Sequence, residues 1–587
     1  MSVSPYVKFN FQNNNVLETT PLMGVSCILT RTTKGPFNDP SKVITSYAQF
    51  QREFGEEICP DGTVSNVKKA LELGSKLRII KVLGQVSIDG EYGFYGDLDN
   101  LDSKGESEPS MKILTVNGKD LNVVIKYIGQ ESDKFRISLK NEVNGNGVST
   151  LSYEIYDLNN EELVESNTLI NIKNAVQGSD QMGRPSRNLP AQVDYQSLSD
   201  ALDNSVYLKP EDEVVFEQIL NELKVLDQST NESLPIVLGS KGTTNNYFIP
   251  QYEVTPAVSG SGGVDDNATL VKYWTDAIKT LLDYTDVYQV GCSFLNEFML
   301  DKSGVRDDTV IRQIHAAIAD VLVPLQEYTY YIEIPKSLEN YEKINEWVTP
   351  TLGAVGNSKY IAFFGGGIKY YSDSGRLQGC DVLGTIMGLG DASASNYGPW
   401  KSFAGMNRGV IWDGYGPVCP NYGSPSQYDA LNELAQNYVN MIVLKDTPSS
   451  GKQTMLWHLF TSQIKQDSER FLSIVRLNLY LKKTLRPILE NYLEEPNTWG
   501  TWKNIWLRVK PILDNLVDQQ AMTEYTWMGD QNATSYNDLT VNNEADVRQG
   551  KYKVVLRYKD VVPMQEITIN ITIDAASQSV DINSDNE

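Results

Sequence analysis

Met564-Gln-Glu-Ile-Thr-Ile-Asn-Ile-Thr-Ile-Asp574 places isoleucine at 567, 569, 571 and 573, with Thr568, Asn570 and Thr572 between them. Successive side chains of an extended chain point to opposite sides, so this alternation marks a β-strand with one apolar face. A second strand precedes it, from Lys551 to Tyr558. Tyr552, Val554, Leu556 and Tyr558 share one of its faces, and Lys551, Lys553 and Arg557 take the other. Asp560-Val-Val-Pro563 joins the two at hairpin length. Such an ending can close a hairpin within its own fold, or it can add a strand to the sheet of another subunit.

The opposite end of the chain has a counterpart. Between Tyr6 and Gln12, Val7, Phe9 and Phe11 lie on one side and Lys8, Asn10 and Gln12 on the other. Further in, an apolar run from Leu22 to Thr30 reads as a buried strand that meets the turn-rich Arg31–Pro40. Val43-Ile44-Thr45 forms a short strand. Ser46 then caps a helix carrying Tyr47, Phe50 and Phe54 and stopped by Gly55. Asn66–Leu73 is a second helix, closed by Gly74, and Leu77–Leu83 a further strand. Strand, helix, helix, strand opens an α/β or α+β layer.

Composition changes near Gln85. Short alternating strands at Lys119–Ile128, Phe135–Leu139 and Leu151–Tyr156, with Asn- and Gly-rich turns, read as a β-rich module. Residues 86–235 carry 27 Asp and Glu against 12 Lys and Arg, most of the net charge of −24. A module this acidic is expected to face solvent, inserted into a fold that resumes after it. From Ser233 onward strands alternate with helices: helices at Asn267–Leu282, Asp308–Val321 and Leu338–Trp347, strands at Val287–Val290, Tyr330–Ile334 and Tyr360–Phe364. This favours parallel pairing. Asp391–Pro425 is Gly-, Pro- and Tyr-rich and reads as irregular. After a helix from Pro425 and a strand at Met441–Leu444 come two long helical patterns, one from Trp457 to Ile488 and one from Trp502 to Val517, with Pro487 and Pro511 inside them.

The acidic balance argues against broad nucleic-acid binding, which needs basic surface to displace counterions. The five cysteines are scattered with no C-x-x-C pair and read as buried small apolar residues. No basic-then-apolar leader follows Met1, and no apolar run approaches the ~20 residues of a membrane helix, so neither secretion nor membrane insertion is expected. His315 and His458 both fall in helical patterns, with no metal-ligand spacing around them. Ser449-Ser-Gly-Lys-Gln-Thr454 lacks the first Gly and the Ser/Thr after Lys452 that a phosphate loop needs, and reads as a turn. Gly365-Gly-Gly367 likewise reads as a tight turn. No nucleophile elbow occurs. Carboxylates are abundant, but no pair is singled out for catalysis. The expectation is no catalytic, cofactor or metal site. Between Lys465 and Lys510, nine Lys and Arg stand against five Asp and Glu, and Lys482, Lys483 and Arg486 cluster on the first long helix. They form either a solvated helix face or a basic face for an acidic partner.

Several stretches resemble the contractile tail sheath proteins of myovirus-type phages. Pro5-Tyr-Val7, Lys34-Gly-Pro-Phe-Asn-Asp-Pro40, Val43-Ile-Thr-Ser-Tyr-Ala-Gln-Phe50 closing on Phe54-Gly55, and Leu77-Arg-Ile-Ile-Lys-Val82 match the front of that family. Asp429-Ala-Leu-Asn432, Asn440-Met-Ile-Val443, Arg476, Pro496-Asn497, Trp502, Gly550 and Pro563 follow in the family's order at the back. Trp457-His-Leu-Phe-Thr461 departs from the family's Trp-Gly-Arg-Thr run, and Asp391–Asn407 keeps its Asp- and Pro-containing loop only loosely.

The resemblance implies a multidomain α+β fold, with a core α/β domain built from N- and C-terminal parts around an inserted β-rich domain. Its expected division is 1–20 as an arm strand, 21–85 as the first part of the core, and 86–235 as the acidic outer domain. Residues 236–424 would form a middle α/β domain, 425–563 the C-terminal core, and 564–587 an arm strand with an acidic tail. It implies a structural, non-enzymatic subunit that stacks in six-fold rings as a helical sleeve and contracts to drive an inner tube through a cell envelope. The expected partners are copies of itself, the tail tube protein, and baseplate and tail terminator proteins. Direct nucleic-acid contact is not expected. Such a sleeve is assembled in a host cytoplasm and belongs to the virion's contractile tail. Val7, Phe9, Phe11, Ile567, Ile569, Ile571 and Ile573 would be strand-exchanging arms, with Tyr552, Val554, Leu556 and Tyr558 in the acceptor sheet. Lys482, Lys483 and Arg486 would be the tube-facing basic group. The alternatives are the sheath of a phage-derived extracellular injection particle and, from Trp, Tyr and carboxylate content alone, an acidic carbohydrate-active enzyme.

Overall fold

The computed structural model describes residues 25–565, apart from residues 95–109, 126–134, 249–265 and shorter stretches within that range. The two expected arms, with Val7, Phe9 and Phe11 and with Ile567, Ile569, Ile571 and Ile573, lie outside the described residues.

A seven-stranded sheet forms the centre, in the order Lys76–Lys81, Val25–Thr30, Gln289–Cys292, Thr329–Glu333, Ile361–Gly365, Val439–Thr447, Gly451–Leu456. All neighbours pair parallel except the last two, which close as an antiparallel hairpin. The direction of winding reverses at Val25–Thr30, between its two flanking strands. Strands of a parallel sheet are buried on both faces, which accounts for their near-continuous apolar runs. Cys27, Leu29, Ile80, Val290, Tyr330, Ile332, Phe363 and Met441 belong to one core, with the helices Asp308–Leu322 and Tyr341–Val355. Ile28, Leu77, Ile79, Tyr331, Phe364 and Ile442 belong to a second core on the opposite face. That face is covered by Tyr47–Phe54, Asn66–Glu72 and Leu383–Tyr397.

Ser46, Gly55 and the two aromatic anchors behave as their spacing predicts: Ser46 accepts from Gln49 N, and Phe50 and Phe54 are buried. Val43–Thr45 does not form a strand; Ile44 makes an isolated bridge to Leu77. The expected blocks 21–85, 236–424 and 425–563 all contribute strands to the one sheet, so they do not separate at those boundaries. The β-rich module does fold around its own core, with sheets of five and four strands. It continues past residue 235, because Thr243–Phe248 pairs with Phe135–Val143. A C-terminal unit of the helices Leu472–Glu490 and Trp499–Asp518 and the strands Met522–Met528 and Val555–Asp560 has a core of its own. Both long helices run through their prolines.

Two stretches differ from the expectation. Trp457–Phe471 forms no α-helix, only a 3-10 turn at Ser468–Arg470, and the first long helix begins only at Leu472. Asn440 Nδ2 donates to Phe460 O, Asn440 Oδ1 accepts from Phe460 N, and Ser462 N donates to Ile361 O, so tertiary bonds hold this segment against the sheet edge. His458 is therefore not on a helix. Asp391–Pro425, read as irregular, begins inside a buried helix, Leu383–Tyr397. Its glycines hide it, because each weakens an isolated helix by about 1 kcal/mol. Packing requires them: a Cβ on Gly384 would lie 2.0 Å from Asn66 O, and one on Gly388 would lie 2.6 Å from Leu73 Cβ. Asn66 Oδ1 also accepts from Gly384 N, so the contact is a hydrogen-bonded backbone crossing. Gly384→Ala should destabilise the subunit by about 3 kcal/mol, the upper range for overpacking against backbone. Chemical denaturation of the purified chain measures this, and Gly353→Ala, where a Cβ meets nothing within 4 Å, is the control.

Candidate assembly interface

The C-terminal sheet sets the face that Tyr552, Val554, Leu556 and Tyr558 were expected to share. Leu556 is buried, and Tyr552, Val554 and Tyr558 pack beside it on the core of the C-terminal unit. Tyr552 stacks on Trp502 at 4.8 Å and donates to Gly529 O, and Tyr558 donates to Asn478 Oδ1 at 2.5 Å. The alternation is thus real, while the strand itself spans Val555–Asp560. Its partner is Met522–Met528, in antiparallel register Tyr525↔Tyr558 and Trp527↔Leu556. The sequence signal for this partner, Met-Thr-Glu-Tyr-Thr-Trp-Met, is short, and it ends on a non-glycine turn residue, Asp530, at φ 51. Asp530 accepts from Thr540 N and Oγ1 and from Asn542 N and Nδ2. Burial opposes its charge, but these bonds prevail and hold the carboxyl well below the usual range.

Among the described residues each strand of this sheet has one neighbour, so each leaves an outer row of backbone N–H and C=O groups available. A two-stranded sheet is marginal by itself, and the helices beneath supply its support. Immediately beyond it Val561, Val562 and Met564 are 39%, 48% and 76% exposed, an apolar lead toward the C-terminal arm.

The expected basic face is not a surface. Lys482 and Lys483 are each 3% exposed. Lys482 Nζ donates to Gln326 O at 2.9 Å and pairs with Glu327 Oε1 at 2.8 Å; Arg486 pairs with the same carboxylate. Lys483 Nζ donates to Val287 O. Val287, Gln326 and Glu327 lie just before two strands of the central sheet, where parallel pairing leaves carbonyls without partners. The cluster is therefore an internal clasp between the helix Leu472–Glu490 and the sheet. Helical periodicity alone cannot distinguish a lysine that meets water from one that meets a strand terminus.

A second polar contact lies deeper. Arg476, fully buried, donates to Gly390 O at 2.7 Å and reaches Tyr288 OH at 3.4 Å. Asp391, also fully buried, accepts from Ser26 Oγ at 2.8 Å, Gln289 Nε2 at 2.9 Å, and Tyr288 OH. Burial raises its carboxyl, with the bonds from Ser75, Tyr288 and Ser26 and the nearby guanidinium opposing.

His315 is buried and His458 half-buried; desolvation lowers them to about 3 and about 4, which leaves both neutral. Burial pushes the Cys292 thiol up to about 12. Lys452 sits opposite Asp446 in the closing hairpin, and Gly366 and Gly367 turn the chain after Ile361–Gly365. Among the described residues no group of three His, Cys, Asp or Glu could hold a metal, and no helix is long and apolar enough to cross a membrane.

No family model and no curated protein matches the chain. Among solved structures it is similar to the helical sheath of the anti-feeding prophage in the contracted state, at 12% identity over 98% of this chain and 100% of that one, TM-score 0.47. It is also similar to the sheath tail protein of Listeria innocua, at 10% identity over 92% and 96%, TM-score 0.46. A third likeness is the sheath tail protein of Desulfitobacterium hafniense, at 10% identity over 95% and 100%, TM-score 0.43.

Burial lowers the Lys483 ammonium to about 7, with Glu327 opposing. The folded chain then binds fewer protons than the unfolded chain between that value and the ordinary lysine value near 10.5, so this group adds stability as pH rises through the window. Raising the pH from about 7 to about 10 should accordingly raise the melting temperature of the parent chain relative to Lys483→Met. Lys482→Glu with Lys483→Glu should prevent recovery of a folded subunit, since each carboxylate would face backbone carbonyls inside the protein, at about 3–5 kcal/mol apiece. Soluble yield and circular dichroism read that outcome.

Proposed function

We propose that this chain is a structural subunit of a contractile tail sheath, which polymerises around an inner tube and shortens to drive the tube through a target envelope. The observation that carries the reading is the two-stranded sheet Met522–Met528/Val555–Asp560, with open backbone edges on a well-supported helical base. Alternating apolar and polar residues occur at both ends of the same chain, at Val7–Phe11 and Ile567–Ile573. An open edge accepts a strand through main-chain hydrogen bonds, while apolar side chains at every second position set the register. Each subunit then has two donors and an acceptor, the minimum for a mesh rather than a chain of pairs. The residues that resemble tail sheaths at the front and back of the sequence support the same reading.

In this proposal Val7, Phe9, Phe11 and the isoleucines 567, 569, 571 and 573 enter the sheets of neighbouring copies, and the acidic module faces outward. Rings stacked as a sleeve, an inner tube protein, and baseplate and terminator proteins at the sleeve's ends are the partners. A virion tail is the proposed location. The sheath of a phage-derived injection particle uses the same subunit chemistry and is the alternative setting. The buried basic clasp requires any tube-facing surface to come from residues other than Lys482 and Lys483.

Deleting residues 1–12, or replacing Ile569 and Ile571 with Lys, should leave a folded monomer that forms no sleeves under conditions where the parent chain does. Electron microscopy together with sedimentation checks this. Normal sleeves from both variants would overturn strand exchange.

A further inference from the structure

At the carboxyl end of the central sheet, two carboxyl groups share one ammonium and a third lies beside them. Lys336 Nζ lies 2.9 Å from Glu297 Oε1 and 2.5 Å from Asp381 Oδ1. Glu333, the last residue of its strand, accepts from Val382 N at the start of the buried helix Leu383–Tyr397. Asp381 precedes that helix, and Glu297 sits on the short turn of helix Leu295–Phe298. Three connections of the fold are thus tied at one point: those after Gln289–Cys292, after Thr329–Glu333, and from Leu377–Cys380 into the buried helix.

The charges do not balance. Asp381 is 4% exposed and Glu333 is 7% exposed, and one lysine cannot neutralise three carboxylates. Asp381 Oδ2 and Glu297 Oε2 are both buried, and among the described residues no donor reaches either of them. Two carboxyls bridged by one ammonium, each with a buried oxygen left unbonded, favour one proton on the pair, carried by the more deeply buried Asp381. We propose that Asp381 holds a proton on its unbonded buried oxygen, and that its loss drives Glu297 off the shared ammonium, making the cluster a pH-sensitive clamp on the buried helix. Glu297 is the partner that can leave, because its side chain is 21% exposed against 3% for Asp381.

Other groups facing the cluster do not supply the missing positive charge. Cys380 and Cys59 are uncharged thiols raised by burial, Glu57 adds a further carboxylate near Cys59, and Lys69 is engaged by Glu72 and Asp413. Burial, followed by the neighbouring carboxylates, raises Asp381 and Glu333 well above the usual range, in the same direction as the geometry. A carboxyl raised in the folded state stabilises the fold at low pH, and that contribution is lost as pH rises toward the folded value. On release the proton passes to solvent, leaving three carboxylates around Lys336.

The test compares the full-length parent chain with Asp381→Asn and Glu297→Gln. Melting temperatures from about pH 5 to about pH 8 should fall more steeply for the parent than for either variant, because the amides keep a hydrogen bond that does not titrate. Hydrogen exchange, corrected for intrinsic rates, should show protection at Leu295–Phe298 and Val382–Thr385 declining with pH in the parent and staying level in Glu297→Gln. A protonated-carboxyl band should disappear from the neutral-pH infrared difference spectrum on Glu297→Gln substitution. The half-exposed Glu297 keeps the test decisive if Asp381→Asn does not fold. Identical pH slopes in the parent and Glu297→Gln, with no band lost, would overturn the proposal.

Discussion

The fold depends on one buried polar contact, the meeting of Asp391 with Ser26, Tyr288 and Gln289 beside Arg476. A carboxylate and a guanidinium, both fully buried, are costly to desolvate and are retained only when bonded from several sides. Here those sides belong to different parts of the chain. Ser26 lies on the first strand, Tyr288 and Gln289 at the next strand in the sheet, Asp391 on the buried helix, and Arg476 on the first helix of the C-terminal unit. Losing Asp391 would strip Ser26, Tyr288 and Gln289 of a shared acceptor, and losing Arg476 would break the link from the C-terminal unit to Gly390 O. The contact therefore ties the C-terminal unit to the sheet more specifically than apolar packing alone could, because packing tolerates sliding and a bonded charge does not.

The same demand for satisfied polar groups explains the lysines. Parallel strands leave carbonyls unpaired at their ends, and the helix Leu472–Glu490 brings Lys482 and Lys483 to those at Val287, Leu325 and Gln326. At the opposite end of the sheet Glu333 and Asp381 meet the entry of the buried helix. The central sheet is thus fastened at both rims by charged groups, with two apolar cores between. The peripheral two-stranded sheet stands apart from these cores, on the core of the C-terminal unit.

Much of this was legible in the residues. The capped helix after Ser46, the buried strands of the α/β layer, the separate acidic β module and the alternating face at Tyr552–Tyr558 follow from local periodicity and capping chemistry, which act over a few residues. Sequence by itself also shows that apolar and polar residues alternate at the two ends, and that no familiar catalytic spacing is present.

Tertiary structure alone decided the rest, each time because the partner is distant along the chain. Leu383–Tyr397 is helical only because Gly384 and Gly388 let it close on Asn66 and Leu73, some 320 residues away in sequence. Trp457–Ser462 is non-helical because Asn440 and Ile361 offer its backbone bonds that outweigh its helical pattern. Val555–Asp560 pairs with Met522–Met528, whose short alternation carries little signal of its own. Lys482 and Lys483 look like a basic face in one dimension and become an internal clasp in three, since a helix pattern records which residues share a side but not what that side meets.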